Sequence, residues 1–221
     1  YVVQCVKHIF ASHVVLQFSV QNTIEDQRLD NVTVLLDDSD SENFKVSGEI
    51  PVNGISYGMT KNCFTVLERV SDSPLVASTF ACELRFNVVQ VDPVTGEVEG
   101  DSFEEEYPTE ELVISTSDFM AKVSVPDFRK AWEDAGNDNE VLEKFALNYK
   151  KVEDAVSAVL GMLGMQPMDG TAVVKPDIGT KAHMLHLSGV FVSGHKVLAR
   201  ASIHYLRSAF NDSIYSITGI Q

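Results

Sequence analysis

The first half of the chain consists of apolar segments that partly alternate with polar residues and are separated by turn-forming residues. Val, Phe, Leu and Thr dominate four of these segments, at 1–10, 13–22, 31–37 and 78–91. Alternation at a period of two is typical of strands with one buried face. Since no segment before residue 117 has a helical period, the sequence predicts an antiparallel β-sandwich of roughly 110 residues.

An acidic stretch at 97–111 follows these segments and contains no Lys or Arg. We predict that it forms an exposed, solvated loop. Its carboxylates would then lie outside the desolvated clefts in which the pKa of a catalytic acid is shifted. Residues 112–117 are either the last strand of the sandwich or the crossing into a second domain.

The second half of the chain mixes helical and strand periods. Apolar residues recur at three- and four-residue spacing over 150–165, which predicts a helix. Strands are predicted at 119–125, 181–192, 195–207 and 213–220, with a tight hairpin at Ser193-Gly194; 141–147 fits a strand or a helix, and 166–180 a loop. This order predicts an α+β domain, in which helices cover one face of an antiparallel sheet.

The charge balance changes near the same point. Residues 1–117 hold 6 Lys/Arg and 20 Asp/Glu, residues 118–221 hold 11 and 12, and the net charge is −15. We therefore predict two domains, 1–116 and 117–221. So acidic a chain is repelled by nucleic acid and by anionic lipid, and no apolar run reaches the roughly 18 residues of a membrane span. We expect neither nucleic-acid binding nor direct membrane insertion.

The three cysteines, Cys5, Cys63 and Cys82, are odd in number and have no CxxC spacing. This usage favours reduced, partly buried thiols in a cytosolic protein. The alternative is an extracellular sandwich protein, which requires disulfides among them.

Motifs for catalysis are absent from the sequence. It has no phosphate-binding loop, dinucleotide-binding glycine pattern, HExxH or nucleophile elbow. His183 and His186 lie three residues apart in a predicted strand, so they point to opposite faces and cannot share a metal ion. We expect no catalytic residue, metal or cofactor. The alternative, an enzyme with an unrecognised site in the second domain, requires a deep pocket with perturbed carboxylates or histidines.

The only tryptophan of the chain, Trp132, lies in a short charged segment that begins with Pro126-Asp127 and ends at Gly136. Proline suits a first helical position, aspartate a helix start and glycine a helix end, so we predict one short helix. Phe128 and Trp132 are four residues apart and share one face of it. The pair either anchors the helix in the core or forms a binding platform.

A cationic group is predicted near this pair. On a strand, Lys196 and Arg200 point to one face, while the other face is apolar. If the aromatic helix flanks the Arg200 face, the arrangement suits a short acidic peptide that carries an aromatic side chain. Replacing Trp132 with Ala should then abolish binding and leave the fold intact. The alternative is that Trp132 is a core residue and Arg200 an ordinary surface charge.

Six segments of the sequence, taken in order, resemble the coatomer gamma-subunit appendage family. They are 1–10, 31–34, 92–97, the FxxxW of 128–132, 187–191 and 194–200. The resemblance covers essentially the whole chain. It implies an immunoglobulin-like β-sandwich subdomain at 1–116, followed at 117–221 by an α+β platform subdomain whose antiparallel sheet is flanked by helices.

The resemblance also implies a function. Such a module is a non-catalytic part of the COPI vesicle coat, cytoplasmic and peripheral on Golgi membranes and COPI vesicles. It recruits accessory proteins such as Arf GTPase-activating proteins in Golgi–ER retrograde and intra-Golgi transport, and it meets other coatomer subunits through the full-length chain. We expect this piece, which begins at Tyr1 rather than Met, to be a monomeric fragment. An appendage of a clathrin-type adaptor is the nearest alternative.

The resemblance assigns the family's platform site to Phe128, Trp132 and Arg200. The family can carry a second Arg in the final strand, where this chain reads Ser-Ile-Thr-Gly-Ile-Gln at 216–221. Lys196 or Arg207 would have to replace it, and a lysine makes poorer bidentate contacts. The acidic sandwich is a second possible surface, for a basic partner.

Overall fold

The computed structural model describes residues 1–70, 77–136, 140–175, 182–206 and 213–220, with side chains as far as residue 204. The chain divides into two compact units, Tyr1–Ser115 and Thr116–Gln221. The division falls one residue before the predicted boundary. We call the first the sandwich unit and the second the mixed unit.

The sandwich unit is built from antiparallel strands. Within the described ranges they are β1 (Val2–Ile9), β2 (His13–Gln21), β3 (Gln27–Leu36), β4 (Phe44–Ile50), β5 (Thr60–Arg69), β6 (Ser78–Phe80), β7 (Cys82–Gln90), β8 (Phe103–Pro108) and β9 (Leu112–Ile114). They form sheets in the orders β1-β2-β5-β4 and β3-β7-β8, and a pair β6-β9. Side chains of alternate residues fill the core, as along β2, where Val14, Leu16 and Val20 are fully buried. The predicted β-sandwich is confirmed.

The apolar pattern missed three of these strands, β4, β5 and β8. The inward positions of β5 include Cys63 and Thr65, which weaken its apolar alternation. The Thr65 hydroxyl is nevertheless satisfied, because it donates a hydrogen bond of 2.8 Å to the Val34 carbonyl of β3. Strand β3 also begins earlier than predicted and continues across a bulge, where Asn31 has a φ of 52°.

The acidic stretch is not wholly a loop, because β8 lies within it and pairs with β7. One face of β8 carries Phe103, Glu105 and Tyr107, and the Tyr107 ring stacks on Phe86 with centroids 5.8 Å apart. On the other face, the Oε1 atom of Glu104 lies 3.7 Å from Nε of Arg85, and the Oε1 atom of Glu106 lies 2.5 Å from its Nη2. Three consecutive glutamates interrupt the alternation of apolar and polar residues in β8. The acidic composition therefore indicated a solvated loop.

Two of the three cysteines belong to the sandwich core. Cys63 and Cys82 are buried, Cys5 is exposed, and all three are free thiols. Desolvation by the surrounding protein raises the pKa of Cys5, and that of Cys63, to about 11. The thiols are therefore protonated near neutral pH and behave as small apolar groups.

The mixed unit has a single main sheet. After a 3-10 turn (Thr116–Phe119), its elements are β10 (Met120–Lys122), α1 (Phe128–Ala135), β11 (Val141–Leu147), α2 (Val152–Leu163), β12 (Gln166–Pro167), β13 (His183–Phe191), β14 (Lys196–Leu206) and β15 (Ser213–Ile220). The sheet order is β10-β13-β14-β15-β11, with β12 beside β13. Residues 141–147 are thus a strand, and β12 falls at the start of the predicted loop 166–180, of which 176–180 lie outside the described residues.

The two helices pack on opposite faces of this sheet, so the prediction that both lie on one face is wrong. Helix α2 packs on Ala199, Ala201 and Ile203 of β14, which are fully buried. Helix α1 packs on Leu198, whose side chain points the other way. A helix therefore covers each face of β14. The sequence pattern did not indicate the second covered face, because Leu198 shares it with the polar residues Lys196, Arg200 and Ser202.

Candidate functional site

Helix α1 is held in place by its ends. Asp127 has an extended backbone with φ −142° and accepts a hydrogen bond of 2.9 Å from the Lys130 amide, so it is the N-cap. Pro126 consequently lies outside the helix, so the prediction that it is the first helical residue is wrong. Gly136 ends the helix with a φ of 78°, a backbone conformation that residues other than glycine rarely adopt.

The aromatic pair of α1 is largely buried. Phe128 is 3% exposed and Trp132 is 8% exposed, and both pack against Met168 and Leu198. Their ring centroids lie 5.8 Å apart. The pair therefore contributes to the core of the mixed unit, whatever else it binds, and the expectation that Trp132→Ala leaves the fold intact conflicts with this burial.

Arg200 covers the remaining face of the tryptophan. Its guanidinium carbon lies 4.6 Å from the centroid of the Trp132 ring, within the range of a cation–π contact. The same guanidinium lies 3.8 Å from a carboxylate oxygen of Glu140, and 44% of the Arg200 side chain is exposed. The structure thus brings Phe128, Trp132 and Arg200 together, with the cation outermost.

Lys196 lies apart from this group. It is exposed on the same face of β14 as Arg200, but at the start of the strand, where it pairs with Val190 beside the hairpin. Three register pairs separate it from Arg200. Arg207, the other suggested replacement for a second cation, lies outside the described residues. In the final strand, the position paired with Arg200 is Gly219, which has no side chain.

His186 is a site residue that the sequence analysis missed. It pairs with Arg200 across the β13–β14 ladder, so the two side chains share a face. Its imidazole stacks on the Phe128 ring, with centroids 4.4 Å apart and planes 6° apart. Asp169 lies 3.3 Å from its Nδ1 atom. The sequence contains a signal for this pairing: a hairpin with a three-residue loop at 192–194 places His186 opposite Arg200.

Two stacks therefore lie side by side over the sheet. One is Phe128 on His186, and the other is Arg200 on Trp132. Each stack has a carboxylate at its edge, Asp169 in the first and Glu140 in the second. The exposed part of Arg200 is a guanidinium that can donate hydrogen bonds to an acidic group, in competition with these carboxylates.

The two histidines of β13 do point to opposite faces, as predicted. His183 is buried, and its Nε2 atom is 2.8 Å from the Thr171 carbonyl oxygen, whereas His186 faces α1. Among the described residues, no group of three or more His, Cys, Asp or Glu side chains is placed to hold a metal ion. In the same part of the chain, no helix is long and apolar enough to cross a membrane.

A β-sandwich followed by a helix-flanked antiparallel sheet is the architecture that the resemblance implies, and comparisons with known proteins agree on the family. A family model described as the coatomer gamma subunit appendage platform subdomain matches residues 1–115. Another, the coatomer subunit gamma-1 C-terminal appendage platform, matches residues 117–209. Both descriptions use the word platform, which the resemblance attached only to the second unit. The chain belongs to the coatomer gamma appendage family.

Individual relatives carry the same name. Coatomer subunit gamma-1 of Oryza sativa subsp. japonica is 40% identical over 91% of this chain. Coatomer subunit gamma-2 of Homo sapiens is 38% identical over 92% of it, and the coatomer subunit gamma of Arabidopsis thaliana is 39% identical over 91%. The matched region spans only 22–23% of the length of these relatives.

Proposed function

We propose that this chain is a non-catalytic protein-interaction module of the COPI vesicle coat that recruits accessory proteins, Arf GTPase-activating proteins among them. It would act in Golgi–ER retrograde and intra-Golgi transport, on the cytoplasmic face of Golgi membranes and vesicles. Contacts with other coatomer subunits would come through the rest of the longer protein. The family membership and the coatomer names of the relatives support this role.

The observation that carries the proposed site is the position of Arg200 above Trp132, next to the stack of Phe128 on His186. An exposed guanidinium is a bidentate donor for a carboxylate. An acidic side chain of the partner would bind Arg200 and draw it away from the indole. The uncovered ring face of Trp132 would then accept an aromatic side chain of the same partner.

The energies of these contacts favour such an exchange. An exposed cation–π contact contributes about 0.5–1 kcal/mol and an exposed ion pair about 0–1 kcal/mol, so Arg200 can leave both at small cost. Affinity for one motif should accordingly be weak. A coat that presents many copies would gain strength from multivalency. Lys196 belongs to the proposed site as a peripheral cation that steers the partner.

The test is a fluorescence titration with a tryptophan-free segment from the non-catalytic region of an Arf GTPase-activating protein. Trp132 is the only tryptophan of the chain, so its emission reports on one place. We expect a saturable shift in emission that Arg200→Glu abolishes. Lys150→Glu, the same charge change just before α2 on the other side of the sheet, should leave the titration unchanged.

Three results would test separately the position of the site, the role of Arg200 and the choice of partner. Binding by calorimetry without an emission change would move the site away from Trp132. An equal loss of affinity in Arg200→Glu and Lys150→Glu would show that binding depends on net charge and not on the position of Arg200. No binding by either method would overturn the choice of partner, while family membership would stand.

A further inference from the structure

A cavity of about 250 Å³ opens on the surface of the sandwich unit, whereas the residues proposed above belong to the mixed unit. It lies between β1 and the segment that joins β8 to β9. Its floor is apolar and consists of Val3, Cys5, Phe18, Cys82 and Leu112. Phe18 and Cys82 are only 4% and 6% exposed, so the floor is continuous with the core.

The walls of this cavity are fixed by hydrogen bonds. The Thr109 amide donates to the Cys82 carbonyl at 2.9 Å, where the chain leaves β8. Leu112 pairs with Phe80 in the β6–β9 ladder, which secures the other end of the wall. From β1, the Lys7 ammonium donates to the Val113 carbonyl at 2.7 Å and ties the two walls together. The cavity is therefore preformed, as small binding sites usually are.

The mouth of the cavity is acidic. Glu110 and Glu111 line it and are exposed, and none of the residues that line the cavity is basic. They stand on a unit with 6 Lys/Arg against 20 Asp/Glu. An apolar floor under two carboxylates selects a ligand that is apolar at its tip and positively charged beside it.

Strand β1 offers a means of holding an extended ligand. It stands at the end of the sheet order β1-β2-β5-β4, and within the described residues no strand pairs with its outer backbone edge. Val3 and Cys5 of β1 point into the cavity, while Val2 and Val6 are 45% and 49% exposed. A segment that pairs with such an edge places every second side chain on the cavity side.

We propose that this cavity is a second protein-binding site, which takes an extended segment that presents one aromatic or large aliphatic side chain flanked by Lys or Arg. The apolar side chain fills the cavity over Phe18 and Cys82. The flanking cations meet Glu110 and Glu111. The site thus has the opposite charge preference to the Arg200 surface, so the two units would bind unlike partners.

The test is an NMR titration of the whole 221-residue chain with the capped pentapeptide Lys-Lys-Phe-Lys-Lys. We expect amide shifts concentrated at residues 3–5 and 109–112. The matched peptide Lys-Lys-Ala-Lys-Lys, with equal charge, should bind at least tenfold more weakly. The double variant Glu110→Gln/Glu111→Gln should weaken the Phe peptide at least fivefold, and Glu97→Gln/Glu99→Gln, an equal charge change in the same unit, less than twofold.

A second variant fills the cavity without changing the charge. Cys5→Phe should abolish the preference for the Phe peptide over the Ala peptide, and because Cys5 is an exposed residue the fold should survive, as the amide spectrum will show. Equal affinity of the two peptides, equal loss in both double variants, or shifts spread over the acidic surface would each overturn the proposal. Arg200→Glu should leave this titration unchanged.

Discussion

Arg200 and Trp132 touch each other but differ in what their removal costs. Arg200 is exposed and makes two weak contacts, to the indole and to Glu140. Trp132 is buried against Phe128 and Met168. A cation at the surface can change partners without disturbing the fold, whereas a buried ring cannot, because its loss leaves a cavity. Variants of the two residues therefore report on different properties.

Trp132→Ala should lower the free energy of unfolding of the mixed unit by about 3–5 kcal/mol, because a large buried ring is lost. Arg200→Ala should lower it by less than about 1 kcal/mol, since only exposed contacts disappear. Urea denaturation followed by far-UV circular dichroism measures both. A Trp132→Ala protein as stable as the parent would restore the interpretation of Trp132 as a pure binding residue.

Glu140 is the internal competitor for the cation of the proposed site. It must be displaced before a partner's carboxylate can take its place, at a cost typical of a partly exposed ion pair. Glu140→Gln should therefore tighten binding of the acidic partner segment, by up to about fivefold. Glu143→Gln, an exposed charge in β11, is the control. Unchanged affinity in Glu140→Gln would show that the 3.8 Å pair does not restrain Arg200.

At the scale of elements, the two glycines near the end of α2 have opposite requirements. Gly161 lies within the helix, and a Cβ atom there would meet nothing within 4 Å. Gly164 has a φ of 63°, donates its amide to the Leu160 carbonyl, and would place a Cβ atom 2.7 Å from the Ser117 carbonyl oxygen. The first is replaceable, and the second closes the helix against the start of the mixed unit.

Gly161→Ala should raise the free energy of unfolding by about 0.5–1 kcal/mol, because alanine loses less backbone entropy in a helix. Gly164→Ala should destabilise the unit, because it meets both a positive φ and a backbone clash. Thermal unfolding of the two single variants distinguishes them. A Gly164→Ala protein at least as stable as the parent would contradict the placement of Gly164 against Ser117.

Element prediction failed where two signals conflicted. Alternation of apolar and polar residues indicated most strands. In β5 the buried polar residue Thr65 interrupted this alternation, and in β8 the glutamates did. The hairpin at Ser193-Gly194 was predicted, yet its loop has three residues, since Phe191 and His195 still share a hydrogen bond of 2.8 Å. A two-residue loop would have paired Leu187 with Arg200 and turned His186 away, because a slip of one residue exchanges the faces of a strand.

For the whole molecule, charge is divided between the units as unevenly as the sequence indicated. The sandwich unit carries nearly all of the net charge of −15, and the mixed unit is close to neutral. Self-repulsion opposes compaction of a strongly charged unit, and salt screens it over about 10 Å at 0.1 M.

Raising NaCl from 0.05 to 0.5 M should therefore stabilise the sandwich unit more than the mixed unit. Trp132 fluorescence follows the mixed unit alone, whereas tyrosine-edited NMR signals follow Tyr1, Tyr57 and Tyr107 of the sandwich unit. Urea serves as the denaturant because it is uncharged. Equal shifts of the two midpoints would contradict the assignment of repulsion to the sandwich unit.

The sequence by itself determined what depends on local period and composition. Alternation determined the β-sandwich, and the i, i+4 spacing placed Phe128 and Trp132 on one helix face. These properties are set within a few residues of chain, so a reader of the sequence can find them.

Only the tertiary structure decided which residues meet. Register brought His186 beside Arg200, and packing of α1 and α2 on opposite faces buried Trp132 beneath the guanidinium. Likewise, the cavity over Phe18 exists because β1 and the β8–β9 segment approach each other from distant parts of the sequence. Such contacts depend on strand pairing and on the burial of whole faces, and neither is encoded in the spacing of any one segment.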